Sequence, residues 1–108
     1  MFENWVFTEI IKALPYQSEL KFWRSKSKAE VDFIIEHGGK IYAIEVKASH
    51  LLKPNLGKSI HSFLSAYSIE KLAIVNFSFE YQHELNNTPI DFITHKQLHN
   101  WLHKRLDS

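Results

Sequence analysis

Residues 30–49 constrain the fold more than any other stretch, because two β-rich runs flank a pair of glycines. Apolar residues alternate along positions 31–35, Gly38 and Gly39 follow, and a second apolar run occupies positions 41–44. Two glycines between such runs are typical of a two-residue turn with positive φ angles, which closes a tight β-hairpin. The stretch therefore predicts a β-hairpin with the two glycines at its turn.

The glycine turn also predicts which residues face each other. Because side chains alternate between the two faces of a strand, Asp32, Glu45 and Lys47 are expected on one face. Two carboxylates directly opposite each other repel, since their Cβ atoms would lie about 5 Å apart. A longer turn would change the pairing, although Glu45 and Lys47 would still share a face. The predicted pairs are His37 with Lys40, Ile35 with Tyr42, Phe33 with Ile44 and Val31 with Val46, and on the other face Ile34 with Ala43, Asp32 with Glu45 and Glu30 with Lys47.

Opposed carboxylates among apolar neighbours indicate a cation site. A divalent cation between Asp32 and Glu45 would convert their repulsion into coordination, and Mg²⁺ or Mn²⁺ accepts such oxygen ligands. Lys47 would place a positive charge beside the cation. Asp32, Glu45 and Lys47 are therefore the candidate catalytic residues.

The same residues resemble the Asp…Glu-x-Lys signature of the PD-(D/E)XK nuclease superfamily, with Asp32 as the first acid and Glu45-Val46-Lys47 as the triplet. Three blocks, Phe-Glu-Asn-Trp-Val at 2–6, Phe-Trp-Arg at 22–24 and Glu-Val-Asp-Phe at 30–33, look like one branch of it. That branch is the uncharacterised nuclease-like domain at the C-terminus of a group of predicted AAA+ ATPases. The resemblance covers roughly residues 1–77. Val31 stands where the superfamily's name has a proline, which removes nothing chemical.

The resemblance implies a restriction-endonuclease-like fold and metal-dependent cleavage of DNA phosphodiesters. It implies that Asp32 and Glu45 bind Mg²⁺ or Mn²⁺, with the main-chain carbonyl of Val46 as a further ligand. Lys47 would then orient the attacking water or stabilise the developing negative charge. A helical glutamate before the hairpin often helps to hold the metal in this superfamily.

Glu3 matches that helical position through its Phe-Glu-Asn context, and Glu9 is a weaker substitute. Glu3 also has a structural alternative, because a carboxylate in the first turn of a helix favours the positive end of the helix dipole.

The rest of the chain predicts an α/β domain over residues 1–108. Apolar periodicity predicts helices over 2–14 and 58–67, and a C-terminal helix after a Thr94–Gln97 capping box. Strands are expected over 20–26, 71–77 and 89–94, with a polar turn region over 79–89. A strand, a helix and a strand in that order predict a parallel pair joined by a crossover helix. The expected sheet is mixed and has four or five strands.

Basic residues near the first strand suggest a nucleic-acid contact. Arg24, Lys26 and Lys28 form the densest positive patch, and beside Trp23 they are candidates for binding a phosphate backbone. A solvated hairpin edge, where lysines also prevent edge-to-edge pairing, is the favoured alternative. Ser49 and Lys58 are candidates for substrate contact only, and a plain surface lysine is favoured for Lys58. His95, His99 and His103 share a predicted helical face, for which a solvated or partner-facing role is favoured over zinc.

Composition excludes several classes of protein. The chain has no cysteine, which excludes disulfides, thiolate zinc sites and a cysteine nucleophile, and which favours a reducing, cytoplasmic setting. No apolar run approaches the length of a membrane span, so no membrane partner is expected. A net charge of +1 does not mark a strongly basic nucleic-acid binder, so such binding would need a local patch.

Two functions stay open. The first is a metal-dependent nuclease acting on DNA, with the ATPase region of the same chain as a partner. A helix that begins directly after Met1, together with the resemblance, predicts that the domain is the C-terminal part of a longer chain. The second is a catalytically silent module that binds nucleic acid or protein for an AAA+ ATPase. A plain structural domain leaves the opposed carboxylates unexplained, and a homodimer is left open.

Overall fold

The computed structural model describes residues 2–25, 30–48, 53 and 56–106. Within these ranges the fold is mixed α/β, as predicted. The elements, in chain order, are α1 (Phe2–Ala13), β1 (Glu19–Arg24), β2 (Glu30–His37), β3 (Lys40–Val46), α2 (Lys58–Ala66), β4 (Lys71–Asn76), β5 (Tyr81–Leu85), β6 (Thr88–Thr94), a 3-10 turn (His95–Gln97) and α3 (Leu98–Leu106).

The strands form one mixed sheet of six, in the order β1-β2-β3-β4-β6-β5. β1, β2 and β3 run antiparallel in sequence order, whereas β4 is parallel to both β3 and β6. The predicted parallel pair across α2 is therefore confirmed.

The prediction of four or five strands is wrong, because residues 81–85 form β5 at the edge of the sheet. Asn86 and Asn87 have φ angles of 52° and 65° and join β5 to β6, so the predicted turn is the link of a second hairpin. β5 is exposed along most of its length and lacks the apolar alternation of a half-buried strand. The adjacent Asn86 and Asn87, which are typical of a tight hairpin turn, were the remaining sequence signal for β5.

Three helices cover the two faces of the sheet, and each contributes an apolar stripe. α1 and α3 pack on one face and α2 packs on the other. None of the helices in the described part of the chain is long and apolar enough to cross a membrane. The buried helical residues are Val6 and Ile10 of α1, Ile60, Phe63 and Leu64 of α2, and Leu98, Trp101, Leu102 and Leu106 of α3.

The predicted capping box forms at the end of β6, where the Thr94 main-chain N–H donates to Oε1 of Gln97 (2.9 Å). The box opens a 3-10 turn rather than the α-helix itself, so His95 lies outside α3. His95 packs edge-on against aromatic rings beside α1, while the rings of His99 and His103 contact each other. The prediction of one face shared by the three histidines is therefore wrong.

Candidate active site

The hairpin of β2 and β3 carries the candidate residues, and its turn forms as predicted. Gly38 and Gly39 have φ angles of 59° and 76°, which glycine adopts at little cost because it has no Cβ atom. The pairing runs from His37 with Lys40 to Phe33 with Ile44, as the two-residue turn requires. Beyond that last pair the ladder stops. The predicted pairs of Asp32 with Glu45, Val31 with Val46 and Glu30 with Lys47 are therefore not formed.

A bulge in β2 explains why the ladder stops. Lys21 of β1 pairs with Ile34 and Trp23 pairs with Val31, so Asp32 and Phe33 together oppose one residue of β1. Such a bulge reverses the alternation of side chains and redirects the bulged residue. Val31 therefore packs on the α2 side of the sheet together with Ile34, whereas strict alternation places it with Phe33.

Side chains replace main-chain pairing at the end of the hairpin. The Val46 main-chain N–H donates to Oδ2 of Asp32 (2.8 Å). The Asp32 main-chain N–H donates to Oε1 of Glu45 (3.3 Å). The two carboxylates thus take positions that a regular ladder would give to carbonyl groups, and they lie in contact where the two strands separate.

Glu45 is the more buried of the two acids, with 7% of its surface exposed. Burial, followed by the hydrogen bond and the repulsion from the Asp32 carboxyl, raises the pKa of Glu45 from 4.5 to about 8. Lys47 and the Asp32 main-chain N–H act in the opposite direction but do not offset this rise. Without a cation, the pair is therefore expected to hold one proton near neutral pH.

Lys47 lies beside the acids, with Nζ 3.6 Å from Oε2 of Glu45 and 38% of its side chain exposed. Its main-chain N–H donates to the Val75 carbonyl (2.8 Å), which continues the β3–β4 pairing past the end of β3. The structure thus brings Asp32, Glu45 and Lys47 together, with a half-exposed ammonium at the edge of the acidic pair.

The two glutamates of α1 that were predicted as further metal ligands, Glu3 and Glu9, lie in different surroundings. Glu3 is exposed in the first turn of α1, and it lines a small cavity of about 150 Å³ together with Asp32 and Arg24. Glu9 is bound to Lys12 (3.1 Å). Within the ranges that the structure describes, no three or more His, Cys, Asp or Glu side chains are grouped closely enough to hold a metal ion.

The predicted nucleic-acid patch is only partly described. Nε of Arg24 lies 3.2 Å from Oε2 of Glu30, so its charge is partly compensated at the strand end. Lys26, Lys28 and Ser49 lie outside the described residues. Lys58 is exposed at the first position of α2.

Sequence reasoning missed one buried charge, Asp91 of β6. It accepts the Trp101 indole N–H (2.9 Å) and lies 3.2 Å from Nζ of Lys71 and 3.4 Å from a guanidinium nitrogen of Arg105. The sequence of β6 shows Asp91 only as a single acid within an apolar run. Its partners lie outside β6, in β4 and α3, so no local pattern predicts them.

The family assignment rests on a comparison with protein-family profiles. The profile described as "Domain of unknown function (DUF4143)" matches residues 1–98. The chain belongs to this family. The DUF4143 match includes the whole candidate site and all six strands of the sheet.

Two curated relatives are similar to this DUF4143 chain. Each is 30% identical over 82 residues: the uncharacterized protein Mb2031c of Mycobacterium bovis and the uncharacterized protein Rv2008c of Mycobacterium tuberculosis. The match covers 76% of this chain but 18% of each relative. The chain therefore spans about a fifth of the length of these relatives.

Proposed function

We propose that this DUF4143 domain is a metal-dependent nuclease-like domain of the PD-(D/E)XK superfamily that acts on DNA phosphodiesters. One observation carries the proposal: Asp32 and Glu45 are in contact where two strands separate, with Nζ of Lys47 3.6 Å from Glu45. The local geometry is costly for folding alone, because a buried acid faces a second acid. A catalytic role accounts for that cost.

The donor set fits a hard divalent cation. The two carboxylates supply oxygen ligands and an excess of negative charge, and Mg²⁺ commonly uses one or two carboxylates and keeps several waters. The Val46 N–H points toward Asp32. Because the N–H and C=O of one strand residue point to the same side, the Val46 carbonyl is directed toward the same opening. Two carboxylates and a carbonyl therefore suffice without a third acid, and Glu3 remains an optional contributor.

Each residue has a separate role in the proposed hydrolysis. Asp32 is oriented by the hydrogen bond from Val46, so its carboxylate is preorganised for binding a cation. The chemistry that Mg²⁺ or Mn²⁺ would supply at these two carboxylates is a lower pKa for a nearby water and screening of the phosphate charge. The ammonium of Lys47 orients that water or stabilises negative charge that develops on the phosphate oxygens. In the balanced step, the water oxygen would bond to phosphorus and release one proton to the solvent, the P–O bond to the leaving group would break, and the leaving oxygen would take up one proton from the solvent.

The wider context is part of the same proposal. We propose a restriction-endonuclease-like fold, DNA as substrate, an ATPase region as partner and the cytoplasm as compartment. The mixed sheet with helices on both faces, the absence of cysteine and the greater length of the relatives support these assignments.

A second candidate function is a catalytically silent module that binds nucleic acid or protein for an attached ATPase. The pairing of Arg24 with Glu30 favours it, since this contact weakens the phosphate-binding surface beside the candidate site. The two functions share the fold and differ in whether bound metal leads to cleavage.

The test compares four proteins by Mn²⁺ calorimetry and by nicking of supercoiled plasmid. Asp32→Ala is expected to lose both metal binding and nicking, because it removes a ligand. Lys47→Ala is expected to keep metal binding but lose nicking, a transition-state effect of roughly 3 kcal/mol. Lys12→Ala is the matched control, since this exposed lysine lies on α1 and pairs with Glu9.

Other outcomes separate the two functions. Metal binding without nicking of supercoiled, single-stranded or branched DNA would favour the silent module, or an activity that needs the ATPase. Equal nicking by the wild type and Lys47→Ala would contradict the proposed role of the lysine.

A further inference from the structure

A second charged region lies at the other end of β3. The candidate active site is beside Val46, whereas Lys40 begins the strand, and the six steps between them span about 20 Å. At the Lys40 end, a cleft of about 580 Å³ opens between the hairpin turn, the starts of β4 and β6, and the last turn of α3. The cleft is therefore separate from the Asp32–Glu45 pair.

Positive charge dominates the walls of this cleft. Lys40, Lys71, Lys104 and Arg105 line it, and Glu70 is the one carboxylate among the lining residues. Asp91 lies next to the cleft and adds a second carboxylate. Four cations and two anions leave an excess of two positive charges. This excess is larger than the net charge of +1 for the whole chain.

Asp91 holds two of these cations in place. Lys71 and Arg105 each lie within 3.4 Å of its Oδ2, and their side chains are only 22% and 21% exposed. The guanidinium carbon of Arg105 also lies 5.1 Å from the centre of the Trp101 ring. Side chains that are already ordered lose less entropy when a ligand binds, so the cleft is preorganised for an anion.

Lys40 and Lys104 complete the cleft from its open side. Both side chains are exposed, one at the start of β3 and one near the end of α3. They do not contribute to the core, so they can change partners without disturbing the fold. A cleft with two fixed and two free cations can meet more than one anionic group at once.

We propose that this cleft binds a ligand with at least two neighbouring phosphate groups. Lys and Arg are the side chains that bind phosphate oxygens, and the volume is in the range of small-ligand sites. The same chemistry is found in a free polyphosphate or nucleotide and in adjacent phosphodiesters of a nucleic acid. The inference does not depend on the proposed nuclease activity, because none of its residues belongs to that site.

The experiment uses the whole chain, without divalent cations and at low salt. Calorimetry measures binding of inorganic tripolyphosphate, and fluorescence anisotropy measures binding of a labelled short single-stranded oligonucleotide. The test variant is Lys40→Ala/Lys104→Ala, which leaves the Asp91 contacts intact. The control variant is Lys12→Ala/Lys96→Ala, which removes the same charge from exposed positions outside the cleft. Thermal melts check that both double variants remain folded.

The test variant is expected to lose about tenfold in affinity for at least one probe, whereas the control changes about twofold or less. Loss confined to tripolyphosphate assigns the cleft to a small polyphosphate ligand, and loss for the oligonucleotide assigns it to a nucleic-acid backbone. The proposal is overturned if the wild type binds neither probe, or if the two double variants bind equally well.

Discussion

Glu45 and Asp91 are equally buried carboxylates in the same sheet, and their surroundings are opposite. Each is 7% exposed. Asp91 accepts an indole N–H and lies between two cations, at 3.2 Å and 3.4 Å. Glu45 faces the carboxylate of Asp32, and its nearest cation, the ammonium of Lys47, is 3.6 Å away and more exposed.

The difference teaches that burial by itself does not mark a functional acid. A buried acid with opposite charges around it is explained by folding, because its partners compensate for lost hydration. A buried acid that faces another acid is not explained in this way, and perturbed pairs of this kind cluster at functional sites. Asp91 is therefore interpreted as structural and Glu45 as functional, and substitutions at four positions test this division.

The largest effect is expected for Asp91→Ala. The substitution leaves the Trp101 N–H and two half-buried cations without their acceptor, and it should destabilise the fold by about 3 kcal/mol. Urea unfolding measures the change. Glu84→Ala is the control, since Glu84 is an exposed acid on the neighbouring β5. Equal losses in the free energy of unfolding for Asp91→Ala and Glu84→Ala would contradict the structural interpretation of Asp91.

Glu45→Gln is expected to act in the opposite direction. The pKa of Glu45 is about 8 in the folded state against 4.5 for an ordinary carboxyl, so between these values the folded state holds more protons. The stability contributed by protonated Glu45 is complete below about pH 4.5 and is lost as the pH rises through about 8. Glutamine mimics the protonated acid at every pH.

In metal-free urea unfolding, Glu45→Gln should therefore gain about zero near pH 4 and about 2 kcal/mol near pH 6. Glu84→Gln is the control for the loss of one surface carboxylate. A gain that does not grow with pH would show that the pKa of Glu45 is not raised in the folded state.

Asp32 allows a finer test, because two substitutions separate its charge from its hydrogen bond. Asp32→Asn keeps an oxygen for the Val46 N–H and removes the repulsion, so metal-free stability should be unchanged or higher. Asp32→Ala also loses that acceptor and should be less stable than Asp32→Asn by about 1 kcal/mol. Thermal melts at low salt compare them. A clear loss for Asp32→Asn would mean that the aspartate charge has a stabilising partner.

The smallest effect on stability is expected for Lys47→Ala, at about 0.5 kcal/mol or less. Its ammonium is partly exposed and 3.6 Å from Glu45, so the contact contributes little to folding. Urea unfolding without metal measures this, with Lys12→Ala as the control. A large loss of stability would mean that Lys47, like Lys71, stabilises the fold.

Local sequence patterns predicted much of the fold. The two glycines specified the hairpin turn and its register as far as Phe33 and Ile44, because turn geometry and alternation depend on adjacent residues. Apolar periodicity predicted the presence of α1, α2 and α3. The edge strand β5 was missed, since an exposed strand has no apolar period to detect.

The candidate site was predicted in its residues but not in its geometry. Spacing along β3 placed Glu45 near Lys47, and the turn placed Asp32 near both. The bulge that turns Asp32 toward the Val46 N–H depends on how β1 pairs with β2, which no pattern within the hairpin records.

The sequence by itself determined the hairpin, the three helices and the identity of the paired acids, because each is specified within a short window. Tertiary structure alone decided the surroundings of the buried charges. Asp91 meets Lys71 from β4 and Arg105 from α3, which are 20 and 14 residues away in the chain. Charges attract or repel according to distance in space, and the packing of the sheet against α3 sets that distance.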